Sequence, residues 1–360
     1  TIPRLWPAEL APEAREATRL ALNRGVLREA GLLLDVTTAP DLTRWAVVGG
    51  RADIVLAEAE VTPPGLGALR VAEAAVSASL GPGAVTLEAL HLDLVAPEEG
   101  GAATRLAATG AARLAEGRWA SEVSLTLNDA RFAELPRLWP AGVVRGARDW
   151  ITTNITAGTL TEGRWRIGVS ANESLGEVRL EALEGEAGVE GATVHYLRPM
   201  PPVAGVAGRA RFARDGVVVE TRGGALAADA GGVQASEATL RFAFAPPGQP
   251  DTAEMSFNLS GPLTGLVTVL RHPRLALFDR RPFPLDVRAG QFNGRLQLEF
   301  PLLADLRTEQ IQLRAEARLT QGRVASLLLG RDLEGATAEL TTDMQGLRGN
   351  GNGTLAGVAV

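Results

Sequence analysis

The sequence predicts an all-β protein, mainly antiparallel, with short α-helices interspersed among the strands. Three observations carry that expectation. Apolar and polar residues alternate with a period of two through most of the chain, Gly-rich breaks separate the alternating runs, and one phrase, Pro-Arg-Leu-Trp-Pro, is written twice.

The phrase opens the chain as PRLWPAELAPEAREAT (Pro3 to Thr18) and returns as PRLWPAGVVRGARDWIT (Pro136 to Thr152). Each copy leads into good helix formers, AREATRLALNRG up to Gly25 and ARDWITTNITAG up to Gly158, and a left-handed glycine cap is the expected end of both helices. A fainter third version is GPLTGLVTVLRHP, Gly261 to Pro273, after which GQFNGRLQLEF starts at Gly290. Gly25, Gly158 and Gly290 are 133 and 132 positions apart. The chain therefore reads as three helix-plus-β units, 1–135, 136–260 and 261–360, the last without the Leu-Trp-Pro signature.

Within the units the strands identify themselves by which residues share a face. SEVSLTLND sets Val123, Leu125 and Leu127 together, GRWRIGV sets Trp165, Ile167 and Val169, and EMSFNLS sets Met255, Phe257 and Leu259. QFNGRLQLEF aligns Phe292, Leu296, Leu298 and Phe300, and QIQLRAEARLT aligns Ile311 and Leu313 with Ala315, Ala317 and Leu319, leaving Gln, Arg and Glu on the other side. In RLAATGAARLA the same face is Leu106, Ala108, Gly110, Ala112 and Leu114, small enough to leave room for a guest chain. A Gly-Arg pair recurs at residues 117, 163, 208, 294 and 322, and it reads as a set of turns or bulges where a ladder restarts. GNGNG, Gly349 to Gly353, lacks the strand–helix setting of a dinucleotide loop and reads as a hairpin.

Composition limits the chemistry. The 360 residues are 46% hydrophobic, enough for a substantial core, and contain no Cys; every basic side chain other than the three histidines is Arg. Without Lys there is no Walker-A clamp and no Schiff-base lysine, and without Cys no thiol nucleophile or thiolate metal site. His91, His195 and His272 are far apart and fit no metal-binding spacing, and no G-x-S-x-G elbow is present. A net charge of -6 argues against a nucleic-acid partner. No cofactor is expected, and no enzyme activity. No window approaches the roughly 18 apolar residues of a spanning helix. A first residue Thr1 and an unpunctuated end at Val360 read as an excised piece of a longer chain, which leaves room for an anchor outside it.

Three smaller features have modest readings. Trp6, Trp139 and Trp150 beside the helix starts are expected to plug the end of a sheet. Arg148 is expected to cap carbonyls or pair with a carboxylate. The basic stretch RHPRLALFDRRPFP, Arg271 to Pro284, reads as a solvated connection.

The block LWPAGVVRGARDWITTNITAG, with TLTEGRWRIGV after it and TVHYLRPMPPVAGVAGRARF further on, resembles the periplasmic region of the AsmA-like family, most closely its YhdP-type branch. The resemblance covers nearly the whole chain. Its FPLL at Phe300 to Leu303 and its GNGTLAGVAV ending are similar to the generic AsmA-like pattern, whereas Ala17 or Thr18 stands where the second Trp of the block would fall in the first copy. The resemblance implies an elongated, curled β-sheet forming a taco-like groove. It also implies a Gram-negative periplasmic location, an inner-membrane anchor outside this chain, envelope-protein partners, and conduction of phospholipid toward the outer membrane. On that reading the lipid-binding residues are the fifteen named above: Val123, Leu125, Leu127, Trp165, Ile167, Val169, Met255, Phe257, Leu259, Phe292, Leu296, Leu298, Phe300, Ile311 and Leu313. Alternation alone is equally the mark of a sealed sandwich, so the competing expectation is a structural periplasmic β-scaffold with a dry core.

Overall fold

The structure is a computed structural model. It describes residues 16, 19–41, 45–63, 66–96, 102–140, 145–173, 177–246, 248–275, 286–303, 307, 310–328 and 330–360. The protein is all-β: of the described residues 70% are strand and 11% helix, and the described strands form one open antiparallel sheet of seventeen.

The elements run in the order β1 (Leu22–Thr38), β2 (Trp45–Val61), β3 (Leu69–Gly81), β4 (Ala84–Leu94), β5 (Arg105–Ala115), β6 (Arg118–Arg131), α1 (Leu135–Leu138), α2 (Arg145–Asn154), β7 (Ile155–Asn172), β8 (Val178–Val194) and β9 (Val203–Ala213). They continue with β10 (Gly216–Arg222), β11 (Gln234–Ala243), β12 (Thr252–Pro262), α3 (Leu263–Leu270), β13 (Asp286–Pro301), β14 (Gln312–Leu328), β15 (Arg331–Asp343), β16 (Gly346–Leu355) and β17 (Val358–Ala359). Each strand pairs with its chain neighbours. Contacts divide the chain into two units: residues 1–153, 159–188 and 212–214 form the first, and residues 154–158, 189–211 and 215–360 the second.

Helix precedes the longest strands. Glu16 and residues 19–21 are helical before β1, α2 runs directly into β7, and α3 comes before β13. Each helix is thus followed by a strand pair of 16 to 18 residues per strand, β1–β2, β7–β8 and β13–β14.

The repeat glycines are not helix caps. Strand has already begun at Leu22 and at Ile155, so Gly25 and Gly158 lie a few residues inside β1 and β7, and Gly290 lies inside β13. The reason is a bulge. Between the pairs Arg24↔Glu60 and Val26↔Ala57, Gly25 alone faces Glu58 and Ala59, and between Gln291↔Thr320 and Ala289↔Arg323, Gly290 alone faces Gln321 and Gly322. Two residues opposing one is the definition of a β-bulge, and it bends the strand and sharpens its twist. Glu58 and Gln321 take left-handed backbone angles, φ 49° and 52°. The third glycine, Gly158, sits against Ala192, whose predecessor Gly191 is also left-handed at φ 63°. Gly158 itself has φ 103°, and a Cβ on it would stand 2.6 Å from the Ala192 Cα, so both backbone angle and space demand glycine.

Only the Gly-Arg pair at Gly117 is a hairpin turn. Gly163, Gly208 and Gly294 are interior strand positions, and Gly322 is the second residue of a bulge. At Gly294 a side chain would meet the Glu316 carbonyl oxygen at 2.6 Å. These glycines admit close backbone approach instead of making turns. GNGNG is likewise strand, the middle of β16, paired along β15.

Buried side chains are concentrated at the bulged ends of the strands. In the first unit Ala59, Leu69, Val71, Ala74 and Leu94 form a core joined by Leu22, Leu56, Val61, Leu92 and Leu138. In the second unit Leu226, Val233, Leu263 and Phe292 do the same, with Leu259, Leu266, Val269 and Leu319 packed on them. Val71 is the one large side chain that is completely buried among the described residues.

The repeated Pro-Arg-Leu-Trp-Pro phrase has a visible role in its second copy; the first copy lies outside the described residues. Leu135 is buried and Leu138 enters the first-unit core, while the Gly67 amide donates to the Arg137 carbonyl at 3.1 Å, docking α1 on the β2–β3 connection. Arg148 of α2 then donates from Nε to the Trp139 carbonyl and from Nη2 to the Pro136 carbonyl, both at 3.0 Å. Those carbonyls lie at the end of α1, where no helical partner exists, so the guanidinium caps it. Trp150 is 46% exposed and does not plug the sheet; Trp139 is half-buried. Most of Arg271 to Pro284 lies outside the described residues, and Arg274 Nε donates to the Arg198 carbonyl at 3.1 Å.

Candidate functional site

Antiparallel pairing places directly opposed residues on one face, so the register gives the composition of each face row by row. In the first unit one row reads Ala30–Ile54–Val76–Leu90–Ala108–Leu125–Trp165 across seven strands. The next reads Leu32–Ala52–Ala78–Leu87–Gly110–Val123–Ile167, and another Leu56–Ala74–Leu92–Leu106–Leu127–Gly163. No row contains a charge. The bulge between β3 and β4 and the one between β4 and β5 keep Leu87 and Leu90 in phase, which strict alternation would have put on opposite faces.

The second unit repeats the arrangement. Val219–Leu240–Met255–Leu298–Leu313 is one row, Ala238–Phe257–Leu296–Ala315 another, and Leu259–Gly294–Ala317–Leu340 a third. The opposite face is mostly polar: Arg222–Glu237–Asn258–Arg295–Glu316–Thr341–Arg348 is one of its rows. Neighbours there hydrogen-bond across strands, as Asn258 Nδ2 does to Glu237 Oε2 at 3.3 Å and Arg295 Nε to Ser256 Oγ at 3.1 Å. On the first unit's polar face Arg51 reaches Asp53 and Glu88, and its hydrogen bond, with that of the Ser77 hydroxyl, holds the Asp53 carboxyl below the usual carboxylate range.

Fourteen of the fifteen residues singled out from the sequence lie on these apolar faces, and Ile311 stands one residue before β14; by burial the fifteen fall into two classes. Leu127 and Phe292 are packed inside the protein. The other thirteen, Val123, Leu125, Trp165, Ile167, Val169, Met255, Phe257, Leu259, Leu296, Leu298, Phe300, Ile311 and Leu313, are half-buried. A side chain in the middle of a sealed sandwich is covered from above as well as by its neighbours; these have neighbours beside them and, among the described residues, keep part of their surface accessible. Small residues deepen the face: Ala108, Gly110 and Ala112 lie beside Leu125, Val123 and Ser121 on β6.

Trp165 shows how the face is kept smooth. A Cβ on either Gly163 or Gly185 would strike its indole ring, so the ring lies along the sheet in space those glycines leave free. Its other neighbour is Phe212, centroids 6.0 Å apart and planes tilted by 60°. The signal for this was present in the sequence as the Gly-Arg pair at Gly163, two residues before Trp165 on the same face.

Among the described residues no cluster of His, Asp and Glu is placed to hold a metal ion, and His91 and Asp93 are exposed on one strand. No described helix is long and apolar enough to cross a membrane. Comparison with family models, with curated proteins and with solved structures returns no match.

Proposed function

We propose that this chain is a section of a periplasmic lipid-conducting bridge, in which the apolar sheet faces line a groove that carries phospholipid acyl chains between inner and outer membranes. The observation that carries the proposal is the run of uncharged cross-strand rows, most of whose side chains are half-buried and uncovered by other parts of the described chain. An exposed apolar surface of this extent is a binding surface or a liability.

Burial of a CH₂ group is worth about 0.8 kcal/mol, so an acyl chain of some fifteen such groups gains up to about 12 kcal/mol from full transfer out of water. A one-sided face recovers part of that. The rows repeat along the sheet with the same apolar character, so affinity is nearly uniform and lipid can move instead of being trapped. The resemblance of LWPAGVVRGARDWITTNITAG to the AsmA-like family supports the same reading, along with its periplasmic site, its inner-membrane anchor outside this chain and its envelope-protein partners. No reaction is catalysed and no cofactor or nucleic acid is required. The dry-core scaffold is the weaker reading, because such a core would bury Leu296, Leu298 and Phe300 as completely as Phe292.

A photo-crosslinking residue tests the proposal. Placed at Leu298 it should capture phospholipid, and placed at the adjacent Gln297, on the polar face, it should not. Equal capture at both positions, or phospholipid absent by mass spectrometry from protein purified without detergent, refutes it.

A further inference from the structure

The apolar face of the first unit is closed at one end of its strands and open at the other. On β3, Val71 is 0% and Ala74 3% exposed, whereas Leu80 on the same face is 53% exposed; on β4, Leu94 is 7% exposed and Val85, the partner of Leu80, is 39% exposed. The closed end is where Leu138 of α1, like Leu92 and Leu56, packs against the cluster of Ala59, Leu69, Val71, Ala74 and Leu94, beside the Gly25 bulge. The cluster at that end is apolar, and the buried Thr104 beside Leu94 has its hydroxyl engaged by the Asp129 carbonyl and Glu134. The open end is the rim formed by the β3–β4 turn at Gly81 to Gly83 and the β5–β6 turn at Glu116 and Gly117, where Arg118 and Glu116 stand exposed.

Resting on the lipid-carrying function proposed above, we infer that this unit binds phospholipid with one polarity: acyl chains lie along the strands, their methyl ends under α1, their glycerol and headgroup at the β3–β4 and β5–β6 turns. Length fits. Leu92 to Val85 spans seven residues, about 23 Å at 3.3 Å per residue, and an acyl chain fills about 15 Å, half a bilayer core. The difference accommodates the ester and glycerol before the rim is reached. Chemistry fixes the direction, because a headgroup pushed under α1 would lose its water among Leu22, Leu56, Leu92 and Leu138, where the nearby buried hydroxyl of Thr104 is already engaged by the Asp129 carbonyl and Glu134. At the rim it stays hydrated. Lipids moving along the sheet therefore keep their heads on one side, the turn side, and never invert.

The test needs no substitution. Two phosphatidylethanolamine probes, one with a diazirine at the terminal acyl carbon and one with it next to the ester, are presented in vesicles to the protein, irradiated, and the labelled peptides located by mass spectrometry. The terminal probe should label the segments around Ala74, Leu92 and Leu138, and the ester-proximal probe those around Leu80, Val85 and Trp119, so that the ratio of the two labels reverses along β3 and β4. Identical distributions, or the opposite order, overturn the polarity while leaving lipid binding intact. No labelling by either probe overturns the lipid-carrying function itself, and the polarity with it.

Discussion

Leu298→Arg separates an open apolar face from a sealed core by the size of a melting shift. Leu298 lies in the row between Met255 and Leu313 and is half-buried. Burying a Leu fully stabilises by about 1.5–3 kcal/mol, so the half-buried side chain contributes about 1 kcal/mol. The methylene stem of an Arg recovers some of this, and its guanidinium reaches water over the uncovered face. For a unit of this size each kcal/mol moves the midpoint by about 2–4 °C, so the substitution should lower it by no more than that. A sealed core gives a different number. There an unpaired charge costs several kcal/mol, which means a drop of more than about 10 °C or no folded protein. Thermal unfolding followed by circular dichroism reads the difference, and co-purified phospholipid measured on the same sample reports function. The expected result is a folded protein with reduced lipid. A collapse of the second unit would refute the open face, and a folded variant with undiminished lipid would show that this row carries none.

Other substitutions probe the parts that shape the face. Phe292→Ala, at the packed end under α3, should cost about 3–5 kcal/mol by denaturant unfolding, and Phe300→Ala, half-buried on the same strand, clearly less; equal costs would remove the contrast between closed and open ends. Gly158→Ala should destabilise by more than the roughly 1–2 kcal/mol of a left-handed alanine, because its Cβ also meets Ala192, whereas Gly191→Ala, with open space around it, should cost only the backbone part. Arg148→Ala leaves two carbonyls of α1 uncapped and should cost about 2–4 kcal/mol, with little rescue by Lys, which cannot span both; rescue by Lys would mean that charge alone matters. The Ser326 amide first, and Arg323 second, hold the Asp332 carboxyl below its ordinary 3.8. A folded-state value below the unfolded one means the contribution is present above the unfolded value and is lost as pH falls through the folded one. Hydrogen exchange in the β14–β15 hairpin should therefore be unchanged at about pH 5 and accelerate only below the ordinary carboxylate range. Acceleration already at pH 5 would contradict it.

Alternation made the strands and their apolar faces legible, because a period of two is a local property of the sequence. β13 and β14 fall where QFNGRLQLEF and QIQLRAEARLT put them. The helix of GPLTGLVTVLRHP was equally plain. The bulges were not, since a bulge depends on which residue of the neighbouring strand stands opposite, and Glu58 or Gln321 gives no local sign of a left-handed backbone. Gly25 and Gly158 therefore read as helix caps, when their real partners, Ala59 and Ala192, lie 34 residues further on. The same long-range information separates Leu127 and Phe292 from the other thirteen candidates. All fifteen alternate alike, and only packing distinguishes a buried row from an open one.

The pairing of each strand with its immediate predecessor and successor has a consequence for how the chain is made. Every ladder can close as soon as the next hairpin is available, so no segment has to wait for a distant partner, and loop-closure entropy is charged in small steps. A chain threaded through a translocation pore could zip up strand by strand as it emerges. A lesion in one hairpin would stop growth at that point while leaving the ladders already formed in place.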